Sequence, residues 1–135
     1  LPPKTFRSEY EASWEDFDGQ IYSEFDDRHI VSILPTEFDT TLIGLDHGES
    51  HPAIVVIGIK ENCYYIIDAW TNPNPQISIP QEQFHQRVAE YATKYNVYRV
   101  FSPDDRPSVV ISLRRLGAVK NIPGLRRAVT SPRNK

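Results

Sequence analysis

Residues 78–105, SIPQEQFHQRVAEYATKYNVYRVFSPDD, decide the fold. Ser78 and Gln81 are spaced as an S-x-x-Q capping box, and Phe84, Val88 and Tyr91 recur at i, i+4 and i+7, which predicts an amphipathic helix over about 79–95. Val97–Phe101 (VYRVF) then changes to β-branched and aromatic composition, the pattern of a strand. A strand reached through a helix pairs parallel to an earlier strand by a right-handed crossover. The segment just before this helix is Asn72-Pro73-Asn74-Pro75, a cluster of breakers.

Upstream lie three strand-length apolar runs: Thr41–Asp46 (TLIGLD), Ala53–Ile59 and Cys63–Trp70. Lys60-Glu61-Asn62 separates the last two and reads as a tight hairpin turn, because Asn tolerates positive φ. Downstream, Pro107 opens a second helix with Val109, Val110, Leu113 and Leu116 on one face, stopped by Gly117. The order β-β-β-α-β-α predicts the α/β class with a mixed sheet. Two further short extended pieces are expected around Ile21–Phe25 and His29–Leu34, and residues 1–18 read as an acidic, aromatic linker or entry segment ahead of a domain over 19–135.

At 135 residues and 39% hydrophobic, the chain has the size of one domain with its own core. It lacks an apolar run long enough to span a bilayer and a signal-peptide pattern, so a soluble chain is expected, with the cytoplasm as its compartment. The single cysteine, Cys63, excludes an internal disulfide framework and a cysteine-based zinc site. There is no methionine, even at position 1, so a piece of a longer protein is expected. The net charge of −3 is unevenly distributed. Residues 1–105 hold all 18 acids and seven of the 15 Lys and Arg, whereas the last 30 residues hold eight basic residues and no acid. Arg114, Arg115, Lys120, Arg126 and Arg127 in this stretch are candidates for nucleic-acid contact; the alternative is a solvated basic tail.

The chemistry is expected at strand ends. Asp46 closes an apolar strand and is followed by His47-Gly48, where the chain turns. Asp104 and Asp105 follow the strand that leaves the first helix. If the two strands are parallel neighbours, their ends share one edge of the sheet and the carboxylates converge, an arrangement suited to hard divalent cations such as Mg²⁺ or Mn²⁺. A pair of such ions activates a water and stabilises the leaving oxygen of a phosphodiester. The alternatives are an ordinary turn role for Asp46 and a helix cap for Asp104 or Asp105. Asp68, Glu49, His47 and His51 are lesser candidates, the histidines reading as solvent-facing turn residues, and Cys63 as a small core or edge residue. Neither a glycine-rich phosphate loop nor a G-x-S-x-G elbow occurs, so no nucleotide-hydrolysing motor is encoded in this stretch.

Three segments, DFDGQIYSEFDDRHIV (16–31), TLIGLDHGESHPAIVVIGIKENCYYIIDAW (41–70) and VYRVFSPDDRPSVVISLRRLG (97–117), resemble the C-terminal nuclease domain of the large subunit of tailed-phage terminases. The likeness runs from about Phe6 to Gly117, and its most specific part is Gly44-Leu45-Asp46-His47-Gly48 with Pro52. The resemblance implies a ribonuclease-H-like fold whose sheet edge carries three acids and two Mg²⁺ or Mn²⁺ ions. It also implies endonucleolytic cutting of concatemeric double-stranded DNA during genome packaging. Implied partners are an N-terminal ATPase motor domain in the same chain, a small terminase subunit and a capsid portal. On this reading Asp46 matches the first acid and Asp104 the second, with Asp105 as a further metal ligand, although the family's aspartate column falls closest to Pro103. No Asp or Glu follows Asp105, so the third acid has no counterpart in this sequence. Two expectations remain open, a fragment that stops before the third acid and a nuclease-like domain that binds nucleic acid or protein without cutting.

Overall fold

The computed structural model describes residues 24–48, 50–103 and 105–132. The chain divides into two compact units, Leu1–Ile33 and Leu34–Lys135. In the first, the described residues hold one short 3-10 helix, Asp27–His29, capped by the Asp26 side chain, which accepts from the Arg28 backbone N–H. No strand occurs over residues 24–34, where the sequence suggested extended pieces; the capped turn competes successfully with extension there. Residues 1–18 and 21–23 lie outside the described residues.

The second unit contains β1 (Thr40–His47), β2 (Pro52–Lys60), β3 (Cys63–Thr71), α1 (Gln81–Lys94), β4 (Arg99–Ser102), α2 (Pro107–Lys120), α3 (Pro123–Arg126) and β5 (Val129–Thr130). The strands form one mixed sheet in the order β3-β2-β1-β4-β5. β1, β2 and β3 are an antiparallel meander, and β4 lies parallel to β1 after the α1 crossover. This is the expected α/β arrangement of meander, crossover helix, parallel strand and second helix. The β2–β3 turn places Glu61 and Asn62 at φ 51° and 64°, the two consecutive left-handed residues of a type I′ hairpin.

Burial alternates along the strands. Ile43 and Leu45 of β1, Ile54 and Val56 of β2 and Val100 of β4 join Phe84, Val88, Val109, Leu113 and Leu125 of the helices in one core. That alternation defines a helix-covered face, and residues of the other parity, Leu42, Gly44 and Asp46, lie on the opposite face. In β3 the pairing shifts between Val56 and Ile57, leaving Ile67 as the extra residue of a bulge and putting Asp68 and Trp70 beside Val56 and Ile54.

Three local expectations are corrected. Helix α1 begins at Gln81 with Pro80 as N-cap and no side-chain cap, so Ser78 and Gln81 do not form a capping box; Pro80 takes the start and fixes the entry. Helix α2 runs through Gly117 to Lys120, because Gly117 lets the backbone of α3 approach: a Cβ there would lie 2.6 Å from the Arg126 nitrogen. Its N-cap is Arg106, not Asp105, and the Arg106 side chain makes no capping bond. The helix stops at Asn121, held at φ 55°. Asn121→Ala is expected to cost about 1 kcal/mol, since a β-carbon disfavours the left-handed region without the amide's local bonding; chemical denaturation measures it. The basic end is structured over its described part: α3 and β5 follow α2, and β5 extends the sheet parallel to β4. Among the described residues no helix is long and apolar enough to cross a membrane.

Candidate functional site

The parallel pairing of β1 with β4 brings their C-terminal ends to one edge of the sheet. The ladder pairs Leu42 with Arg99, Ile43 with Val100 and Gly44 with Phe101. At the same offset, Pro103 is level with Asp46, so the segment that leads to Asp105 starts beside the end of β1. Asp46 is exposed and lies on the face away from the helices, next to Ala53 of β2. Asp104 and Glu49 lie outside the described residues. Asp105 is exposed, and its carboxylate acts on the same imidazole, His47, as that of Asp46. The two strand ends therefore share one edge of the sheet as the sequence suggested, with Asp105 as the described member of the downstream pair.

His47 departs from its expected role. Because β1 continues to His47, the period of two that turns Asp46 outward turns His47 inward, where it is buried. Its Nε2 lies 2.8 Å from the hydroxyl of Ser102, which is fully buried at the end of β4. The ring meets Phe84 and His85 of α1 edge-on, at centroid distances of 5.7 and 6.4 Å. Burial holds the His47 imidazole below its ordinary value; the Arg106 cation adds to this, and Asp105 and Asp46 oppose it. His51 is exposed. Ser102, His85 and Arg106 were not singled out in the sequence. The parity of Ile43, Leu45 and His47 was the available signal.

His85 is buried, with no hydrogen-bond partner for Nε2 among the described residues, and burial followed by the neighbouring His47 pushes it down to about 4. A histidine depressed when folded and ordinary when unfolded, near 6.5, leaves the unfolded chain with more bound protons between those values. The stability it contributes is complete above about pH 6.5 and is lost as pH falls toward 4; His47 has the same sign. Thermal unfolding is therefore expected to shift to lower temperature between about pH 7 and about pH 5. His85→Phe should flatten that dependence, with a residual slope from His47.

Asp68 belongs elsewhere. It pairs with Val56, three rungs from the Asp46–Ala53 pair and on the helix-covered face. There it accepts a hydrogen bond from the Tyr95 hydroxyl and lies 3.8 Å from the Lys94 ammonium. That bond, with some burial, raises the Tyr95 hydroxyl above its ordinary range. Cys63 is an exposed residue at the start of the edge strand. Of the basic candidates, Arg114 donates to the Ala128 carbonyl at 2.8 Å and Arg127 stacks over Tyr98 at 4.5 Å. Lys120 donates to Gln86 and Arg126 to Asn121, while Arg115 is exposed on α2. Arg114, Arg127, Lys120 and Arg126 therefore each have a local structural contact.

Two hollows flank the sheet. A cleft of about 270 Å³ adjoins the Asp46 end, lined by His47, Gly48, Ser78, Gln81 and Arg106 among others. A larger, open depression of about 940 Å³ lies around Thr40, Lys94 and Tyr98. It sits at the opposite end of β1, a full strand length from the Asp46 carboxylate.

In chemical type, the two described acids near this end of the sheet, Asp46 and Asp105, are exposed oxygen donors of the kind hard divalent cations take, and the one cysteine, on β3, is not among them. Among the described residues, however, no group of three His, Cys, Asp or Glu is placed to hold a metal.

No protein-family model matches the chain, and no curated protein matches it. Solved structures do. The large terminase of a thermophilic bacteriophage aligns over 82% of this chain at 15% identity with a TM-score of 0.65. The same terminase in complex with ATP-gamma-S aligns over 84% at 15% identity with a TM-score of 0.67. A further crystal form aligns over 84% at 14% identity, also with a TM-score of 0.67. This chain spans 28% of the length of each of those terminase chains.

Proposed function

We propose that a fold shared with part of a phage large terminase serves in this chain as the nuclease-type domain of a terminase large subunit. In this reading the domain is a Mg²⁺- or Mn²⁺-dependent endonuclease that cuts concatemeric double-stranded DNA during genome packaging in the host cytoplasm. The observation that carries it is the exposed Asp46 at the end of β1, beside the end of a parallel β4 that leads into Asp104 and Asp105. The parent chain would add an ATPase motor, with a small subunit and a portal as partners.

Asp46 and Asp105 would hold the cation, together with Asp104. When bound, a pair of such cations supplies an activated water and charge stabilisation at the leaving oxygen. The chain's own groups divide the remaining work. Asp46 fixes the acidic edge of the sheet from the exposed face. Arg106, in the lining of the neighbouring cleft, would offer a positive charge to a phosphodiester strand along this edge. His47 is not a proton carrier at this site, because its ring is buried and bonded to Ser102. The cations at Arg115, Lys120, Arg126 and Arg127 would meet backbone phosphates further along the duplex.

A second reading is favoured by one observation, the lack of a three-ligand group among the described residues. It is a nuclease-like module that binds nucleic acid or protein without cutting. Nicking of supercoiled plasmid by the purified chain in Mn²⁺, beside an EDTA control, separates the two. Metal-dependent nicking establishes the endonuclease, and its absence with retained DNA binding establishes the binding module.

A further inference from the structure

Strand β3 is one edge of the sheet, and among the described residues no strand pairs with its outer side. Edge strands of natural proteins are ordinarily blunted by lysine, by proline or by a short length. Cys63–Thr71 has neither lysine nor proline, and its one charge, Asp68, is taken up by Tyr95 and Lys94. Before the bulge at Ile67 the edge carries Tyr64 and Ile66, 74% and 73% exposed, beside Ile59 and Ile57 of β2 on the face away from the helices. The hairpin fixes which backbone groups are free. A two-residue turn closes on a hydrogen-bonded pair, Lys60 with Cys63, and bonded and non-bonded pairs then alternate, so Ile59 and Tyr64 turn their N–H and C=O groups away from each other. The Ile59 carbonyl accordingly accepts from the Asp39 N–H, on the β1 side. The backbone polar groups of Tyr64, and two residues on those of Ile66, therefore point outward from the sheet.

We propose that this edge is a self-association site, at which a second copy of the chain adds its own β3 antiparallel and joins the two sheets about a twofold axis at Tyr65. The register follows from the free groups. With Tyr65 opposite its counterpart, Tyr64 of each copy lies opposite Ile66 of the other, and each such pair exchanges N–H···O=C bonds. A shift of two residues one way would bring the left-handed turn residue Asn62 into the ladder, and the other way Asp68, beyond the bulge. The edge is thus complementary to itself, as a twofold interface requires. It also sets aromatic against β-branched side chains, a favoured cross-strand pair. The exposed parts of Tyr64 and Ile66 supply on the order of 500 Å² of apolar surface from the two copies. With the backbone edge and the flanking Ile57 and Ile59 the contact comes to about 1,000 Å², the size of a weak, reversible dimer. The axis is perpendicular to the sheet, so both copies present their exposed faces, and Asp46 on each, to the same side.

The test is analytical ultracentrifugation of the full chain over roughly 10 μM to 1 mM, the span in which an interface of this size associates. The weight-average mass of the wild type is expected to rise from one chain toward two. Ile66→Lys, which sets a charge against Tyr64 of the second copy, is expected to stay monomeric throughout and to unfold at the temperature of the wild-type monomer, because this side chain is exposed in the single chain. Val119→Lys, at a residue 84% exposed on α2, is the control and is expected to dimerise as the wild type does. A nitroxide on the exposed Cys63 reads the register. The cysteine lies two residues from the axis in each copy, so the two α-carbons are about 14 Å apart and dipolar coupling broadens the spectrum of the dimer. Monomers at the top of the concentration range leave the edge to a partner of another sequence and overturn the proposal. So does a dimer that Ile66→Lys leaves intact, one that Val119→Lys also abolishes, or one whose labels are too far apart to couple.

Discussion

Replacing Asp46 with Asn is expected to reduce Mn²⁺-supported nicking to the EDTA level, a loss of at least about a thousandfold, or roughly 4 kcal/mol of transition-state stabilisation. The substitution preserves shape and removes a charge. Asp46 is exposed and its carboxylate makes no hydrogen bond or ion pair with other described residues, so the fold does not depend on it. An exposed side chain without such contacts changes stability by about 0.5 kcal/mol or less when replaced isosterically. A divalent cation, by contrast, needs the anionic oxygen, which an amide does not supply. The measurement is the rate of plasmid nicking by wild type and Asp46→Asn at matched Mn²⁺, with unfolding temperatures compared to establish equal folding. Undiminished nicking by a folded Asp46→Asn would remove this residue from the site and the nuclease reading with it.

The second large effect is on stability. Gly124, buried in α3, has no room for a side chain: a β-carbon would lie 2.2 Å from the carbonyl oxygen of Val97 and 3.1 Å from its carbon. The obstacle is backbone just before β4, and it cannot swing aside as a side chain does. Gly124→Ala is expected to destabilise the chain by on the order of 3 kcal/mol, a fall in Tm of roughly 10 °C. Gly44→Ala supplies the control, since a β-carbon there meets nothing within 4 Å. Equal thermal stability of the two variants would mean that α3 does not dock against Val97.

The meander, the crossover helix and the parallel β4 were legible because each run carries its own period, two in the strands and 3.6 in the helices. The place of Asp46 near the end of a strand was legible for a related reason, since the apolar run TLIGL leads straight into it and His47-Gly48 follows. The role of His47 was misread, because ending β1 at Asp46 made a turn residue of a strand residue. Asp68 could not be assigned from its own segment, since its bond to Tyr95 joins residues 27 apart and the bulge at Ile67 resets the face of the strand that follows it. The end of α2 was misplaced for a comparable reason. Gly117 ordinarily signals a stop, but in this chain it is the point where α3 presses on α2.

By itself the sequence determined the α/β class, the order of its main elements and the placement of Asp46 at a strand end, because local period and turn chemistry act over a few residues and are written there. Tertiary structure alone decided that the basic end supplies α3 and a fifth strand, β5, that Asp68 turns to Tyr95, and that His47 meets Ser102 across 55 positions of chain. These outcomes depend on which distant groups are brought together when the core closes, and no local pattern specifies that.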